Sequence, residues 1–159
     1  MSHINLTKKA VGSGRLLLSD DGQHITNGHW ACKRAMLKQA ALLTSVEALA
    51  AMYPSATADT IKADNVRQIS PRYADPITYS KTQWVKELSC GDAVLFVGTD
   101  RTSQVWLDRT YVKLFDLESV KAPPCDEGSV CLDPVCVGDG DDWDVLVMPM
   151  MESYQEGLQ

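Results

Sequence analysis

The chain has 159 residues, 45% of them apolar and 23% charged. That is enough for one core burying roughly 70% of the unfolded surface, and too little for two comfortable domains. No apolar run approaches the roughly 20 residues that cross a bilayer, and the opening MSHINLTKKAVGSG has two lysines but no apolar signal segment, so the expectation is one cytoplasmic domain with no membrane association.

Charge is unevenly spread. Residues 1–75 hold nine Lys/Arg against six Asp/Glu, a balance of +3, and residues 76–159 hold six against fifteen, a balance of −9, within a net −6. Such polarity orients a charged macromolecular partner through one face. The five cysteines, Cys32, Cys90, Cys125, Cys131 and Cys136, are an odd number in a chain without an export signal, which argues for thiols over a disulfide framework.

In chain order, residues 1–12 lack periodicity and read as a loosely ordered arm. Arg15 to Ser19 is a short apolar run, Ser19-Asp20-Asp21-Gly22 a turn, and Gln23 to Thr26 an alternating strand before the turn signal Asn27-Gly28. A further strand follows at 29–32. From Lys33 the apolar period becomes helical, with Met36, Leu37, Ala40 and Ala41 on one stripe. The capping pattern Thr44-Ser45-Val46-Glu47 splits this region into a helix at 32–43 and a second at 45–53, closed by Pro54. Residues 55–76 form a polar connection.

The second half starts with Ile77 to Leu88, which alternates and then drifts toward helical spacing. Asp92 to Asp100 and Gln104 to Asp108 read as strands. Asp108 is placed to cap a helix at 109–118, with Leu107 and Val112 packing across the cap. Pro123-Pro124 interrupts the chain, and a final hairpin joins residues 130–137 to Trp143-Asp144-Val145-Leu146-Val147-Met148-Pro149-Met150.

No reaction is written in these residues. His24 and His29 flank a turn, with no Ser or Cys paired to them. C-x5-C-x4-C across Cys125, Cys131 and Cys136 lacks the tightly spaced pairs of a structural zinc site, and Asp139, Asp141, Asp142 and Asp144 lack the twelve-residue spacing of a calcium loop. The expectation is a protein without enzymatic activity, metal or cofactor.

The order of residues 93–151 is similar to one family. A strand pair, a short helix with Tyr111-Val112-Lys113-Leu114-Phe115, an acidic turn Asp133-Pro134-Val135 and a closing Val147-Met148-Pro149-Met150 resemble the last module of the bacterial DNA sliding clamp, the β subunit of the replicative polymerase. Small proteins of phages and other mobile elements end in the same way. The resemblance implies an α+β fold: a single clamp-like domain of two antiparallel β-sheet halves, 13–75 and 76–151, with two main helices packed together and a tail at 152–159. It implies an apolar client surface at Val147, Met148, Pro149 and Met150, and phosphate contacts from Lys33, Arg34, Lys38, Arg109 and Lys113. Met151-Glu152 departs from the basic residue that follows the family motif, and one domain stands where a ring has six.

Two functions are expected. The first is a phage or mobile-element protein that binds and inhibits a host nucleic-acid-handling defence complex, as anti-CRISPR proteins do, through a DNA-mimicking acidic face of Asp126, Glu127, Asp139, Asp141, Asp142 and Asp144. Its partner would be a host protein or ribonucleoprotein. The alternative is a clamp-like DNA-binding accessory of phage replication, with homo-oligomerisation to build a ring.

Overall fold

The computed structural model of the chain describes residues 17–18, 24–27, 29–36, 75–89, 91–126, 130–131, 133–139 and 142–150. They form a nine-stranded sheet in the order β1-β2-β3-β9-β8-β7-β4-β5-β6. The strands are β1 (Leu17–Leu18), β2 (His24–Thr26), β3 (Trp30–Lys33), β4 (Ile77–Leu88), β5 (Gly91–Gly98), β6 (Gln104–Asp108), β7 (Ser119–Ala122), β8 (Val135–Asp139) and β9 (Asp142–Val147). Every pair of neighbours is antiparallel. The helix among the described residues is α1 (Arg109–Leu114), six residues long.

This overturns the α+β expectation of two sheet halves and two packed helices. One sheet incorporates both parts of the sequence, because the last strand, β9, pairs with β3 on one side and with β8 on the other. The first expected helix begins as strand: Cys32 and Lys33 complete β3, and Arg34–Met36 make a single 3-10 turn. The rest of it, and the helix at 45–53, lie outside the described residues. Ile77 to Leu88 does not drift into helical geometry either. Hydrogen bonds to β5 on one side and β7 on the other hold its first residues extended, and such pairing overrides a weak local period.

The second expected helix, 109–118, starts as foreseen and ends early. The Asp108 carboxylate accepts from the Thr110 N–H, capping α1, and Leu107 and Val112 on either side of that cap both belong to the main core. After Leu114 the backbone turns left-handed at Asp116 (φ 50°). The Leu117 N–H then donates back to the Val112 carbonyl at 3.0 Å and the Asp116 N–H to that of Lys113 at 3.5 Å. This double closure satisfies the last carbonyls of the helix, with Asp occupying the position where glycine is usual. Buried Leu117 follows, and the chain enters β7, a strand that the sequence reading does not assign.

The sheet rolls on itself. The free edge of β6 is met by the chain before β8, where the Cys131 N–H donates to the Gln104 carbonyl at 2.9 Å, and by the chain after β9, where the Met150 N–H donates to the Trp106 carbonyl at 2.8 Å. Inside the roll lies the main core, with Ile25, Trp30, Tyr79, Phe96, Val105 and Leu107 all at 2% exposure or less. Phe115 at the end of α1 sets its ring edge against Trp30, 5.2 Å between centroids. A smaller cluster, Ala31, Cys136, Trp143 and Leu146, is buried separately. By strand alternation Trp143 should share the face of Val145. One extra residue, Asp144, between the pairs Val137↔Val145 and Gly138↔Trp143 turns it to the other.

Candidate functional site

The Met-Pro-Met ending is where β9 passes from one neighbour to another. The Met148 N–H donates to the His29 carbonyl at 2.9 Å, Pro149 has no N–H to place, and the Met150 N–H reaches β6. Val147 is 1% exposed and belongs to the main core, Pro149 is buried and Met150 half-buried. Of the four residues expected on an apolar surface, Met148 is therefore the exposed one, at 41%. It borders an apolar hollow of about 60 Å³ with Thr26, His29, Trp30, Ala31, Pro134 and Leu146, room for little more than one or two methyl groups or waters. That hollow lies at the turn joining β2 and β3, where the Asn27 carboxamide oxygen accepts from the N–H groups of His29 (2.8 Å) and Trp30 (3.0 Å).

The acidic residues fall in two places. Asp139 and Asp142 stand opposite each other at the ends of β8 and β9, next to Asp144. Asp126 is exposed in the segment that leaves β7, and because β7 and β8 run antiparallel this places it toward the other end of the strands from the β8–β9 turn. Asp141 and Glu127 lie outside the described residues. Asp144 faces Lys33 across β9 and β3, Nζ to Oδ1 3.2 Å, an interaction between partly exposed groups worth at most about 1 kcal/mol.

The basic residues are dispersed. Lys33 is on β3 and joined to Asp144, Arg109 opens α1 and lies 3.6 Å from the Asp92 carboxylate, and Lys113 is exposed in the last turn of α1. Arg34 lies in the 3-10 turn after β3, and Lys38 is outside the described residues. Lys33 and Arg109 thus come from separate elements, each facing a carboxylate.

A polar cluster at the mouth of the β5–β6 turn, with exposed Asp100 bonded to buried Ser103, escaped the sequence reading. The Asp100 carboxylate accepts from the N–H groups of Thr102 (3.1 Å) and Ser103 (2.9 Å), and from the Ser103 hydroxyl. These bonds, led by that of the hydroxyl, hold its pKa below the ordinary 3.8. Ser103 is fully buried, and its Oγ accepts from the Cys125 N–H at 2.9 Å. Nearby the Tyr79 hydroxyl donates to the Pro123 carbonyl at 2.7 Å and lies 3.6 Å from the Cys125 Sγ. Burial pushes the Tyr79 pKa up, and the Cys125 thiol beside it adds to the shift. The Cys131 thiol is raised to about 12, again mainly by burial.

Among the described residues Ser103 has a carboxylate beside it but no histidine, and it is fully buried, so the cluster braces a turn and does not form a nucleophile. Gly98 closes it from below, where an added Cβ would sit 2.8 Å from Ile77 Cδ1 and 2.9 Å from Asp100 Oδ1. The readable signal was Asp100 two and three residues ahead of Thr102 and Ser103, the pattern of a side chain that accepts from its own turn.

Cys136 belongs to the small cluster with Trp143, while Cys131 is in the main core with Cys125 packed against it, so the three cysteines do not converge. His24 is buried, its ring 5.3 Å from that of Trp143, and His29 is exposed on the turn. Among the described residues no group of three His, Cys, Asp or Glu side chains could hold a metal ion, and no helix is long and apolar enough to cross a membrane. No family model, curated protein or solved structure matches the chain.

Proposed function

We propose that this protein works by binding, not by catalysis: a small phage or mobile-element inhibitor of the anti-CRISPR kind that occupies a host nucleic-acid-handling defence complex, offering carboxylates where that complex receives phosphates. The observation that carries this reading is the −9 balance of residues 76–159 together with where its carboxylates stand. Glu87, Asp116, Glu118, Asp126 and Asp133 are all exposed, at turns and strand ends of a fold in which the described residues bring no nucleophile and base together. A field of one sign on such a frame attracts a Lys/Arg-lined groove and is weakened by salt.

The expected partner is a protein or ribonucleoprotein rather than DNA itself. The clamp-like DNA-binding alternative needs its basic residues to share helix faces, and the inhibitor reading is preferred because Lys33 on β3 and Arg109 on α1 come from separate elements and each faces a carboxylate.

The test is affinity capture from host lysate across a salt series, with added duplex DNA as competitor. The expected result is recovery of a nucleic-acid-handling complex that DNA displaces, and that is lost when Asp139, Asp141, Asp142 and Asp144 are changed together to Asn. Recovery unaffected by DNA, by salt and by the fourfold change would sink the mimicry.

A further inference from the structure

The proposed binding role leaves unused a pair of sulfurs at the seam where the sheet closes. Cys125 and Cys131 reach this seam from two directions, and their N–H groups bond to two residues that are neighbours in the chain, Ser103 just before β6 and Gln104 at its start. The Cys125 N–H donates to Ser103 Oγ at 2.9 Å and the Cys131 N–H to the Gln104 carbonyl at 2.9 Å. The Cα atoms of Ser103 and Gln104 are about 3.8 Å apart, so both cysteine backbones are anchored at one end of β6. The Cys125 thiol is among the groups that raise the Cys131 pKa, after burial, and Tyr79 OH lies 3.6 Å from the Cys125 Sγ. A disulfide needs Cα atoms within roughly 4.4–6.8 Å, with both Cβ atoms turned toward each other.

We propose that Cys125 and Cys131 form an oxidisable pair, a modification site at which a peroxide closes a disulfide across residues 125–131. Cys125, half-buried, is the sulfur that oxidant reaches, whereas Cys131 is 3% exposed. The Cys125 thiolate attacks one peroxide oxygen, the O–O bond breaks, and a sulfenic acid forms as the other oxygen leaves with a proton as water. The Cys131 sulfur then gives up its proton and attacks the Cys125 sulfur, forming the S–S bond and expelling hydroxide, which takes up that proton as a second water. Two thiols and one peroxide thus give one disulfide and two waters, with two electrons passing to the peroxide. Burial holds Cys131 protonated at neutral pH, so the second step is the slow one.

The other two described thiols are placed differently. Cys32 is fully buried in the main core, and Cys136 is 2% exposed in the separate cluster with Trp143. The bond would lock the exit of β7 to the approach to β8, beside the hydrogen bonds that close the roll. Closing so short a loop restricts the unfolded chain, so the oxidised protein should melt several degrees higher.

The experiment treats the full chain with hydrogen peroxide, blocks remaining thiols with an alkylating reagent, and maps the peptides by mass spectrometry. The expected result is a loss of about 2 Da, a Cys125–Cys131 crosslink reversed by dithiothreitol, and a raised Tm. Cys131→Ser should leave a sulfenic acid at Cys125 that dimedone traps. The proposal is overturned if the folded wild-type protein accumulates sulfenic acid at Cys125 without the crosslink, if the crosslink joins another pair, or if peroxide leaves both thiols alkylatable. Because the wild-type map needs no variant, poor folding of Cys131→Ser does not obscure the answer. The readout is also independent of any partner, so its failure is separate from failure of the binding role.

Discussion

Strand β4 contains two regions that look alike in sequence and behave differently in the fold. Its first four residues, Ile77 to Ser80, are paired with β7, Tyr79 and Ser80 also with β5, and Tyr79 there is fully buried. Beyond Lys81 the strand keeps β5 as its neighbour, and the described residues supply no second one. Trp84 is 65% exposed and Val85 44%. A bulge separates the regions: Lys81 pairs with Phe96 and Val85 with Val94, so Thr82, Gln83 and Trp84 together oppose Leu95. The Thr82 hydroxyl donates to the Leu95 carbonyl at 2.8 Å and accepts from the Trp84 N–H at 3.2 Å, pinning the bulge. An aromatic residue in a strand is therefore core or surface according to whether a second strand and the roll cover it, a long-range property that its own neighbours in sequence do not encode.

The largest expected effect lies in the core beside the covered region, on the neighbouring strand β5. Phe96→Ala, which empties a fully buried ring site, should cost about 3–5 kcal/mol in denaturant unfolding. A cost under about 1 kcal/mol would mean that the core beneath β4 is not closed. Next is alkaline pH. Burial raises Cys32 from 9.0 to about 12, so the folded state retains a proton that the unfolded chain releases. This contribution is intact below pH 9 and declines from 9 to about 12. Denaturation midpoints at pH 8 to 11 should fall, and Cys32→Ala should flatten that fall while lowering stability at pH 8.

A smaller effect is expected at the cap of α1, where Asp108→Ala should cost roughly 1 kcal/mol and Asp108→Asn much less, as read by thermal melts. The smallest is on the exposed part of β4. Trp84→Ala should change stability by no more than about 0.5 kcal/mol, while removing most of the fluorescence quenched by added iodide. Equal costs for Phe96→Ala and Trp84→Ala would erase the distinction between the two regions.

What could be read in the sequence follows the same division between local and distant causes. The start of α1 was legible because Asp108 acts on the next turn of its own chain. Its end was not, because Asp116 holds a left-handed conformation that glycine usually announces. The final hairpin was legible from alternation and from Pro149. Its insertion beside β3 was not, since Trp30 and Val147 are partners across the length of the chain and no local pattern specifies that choice. The face of Trp143 likewise depended on one extra residue in a ladder. For the candidate site, the clamp resemblance named Met148 and the run of aspartates named the β8–β9 turn, whereas the bonds joining Asp100, Ser103 and Cys125 needed the closed sheet to bring them together.

The rolled sheet is the claim on which these comparisons depend, and amide hydrogen exchange followed residue by residue tests it most directly. The amides of Cys131 and Met150, which bond to β6 across the seam, should exchange slowly, together with those of β5, and the amides of residues 82–88 on the uncovered side of β4 should exchange much faster. Fast exchange at Cys131 and Met150, at the rate of residues 82–88, would show an open sheet and contradict the closure.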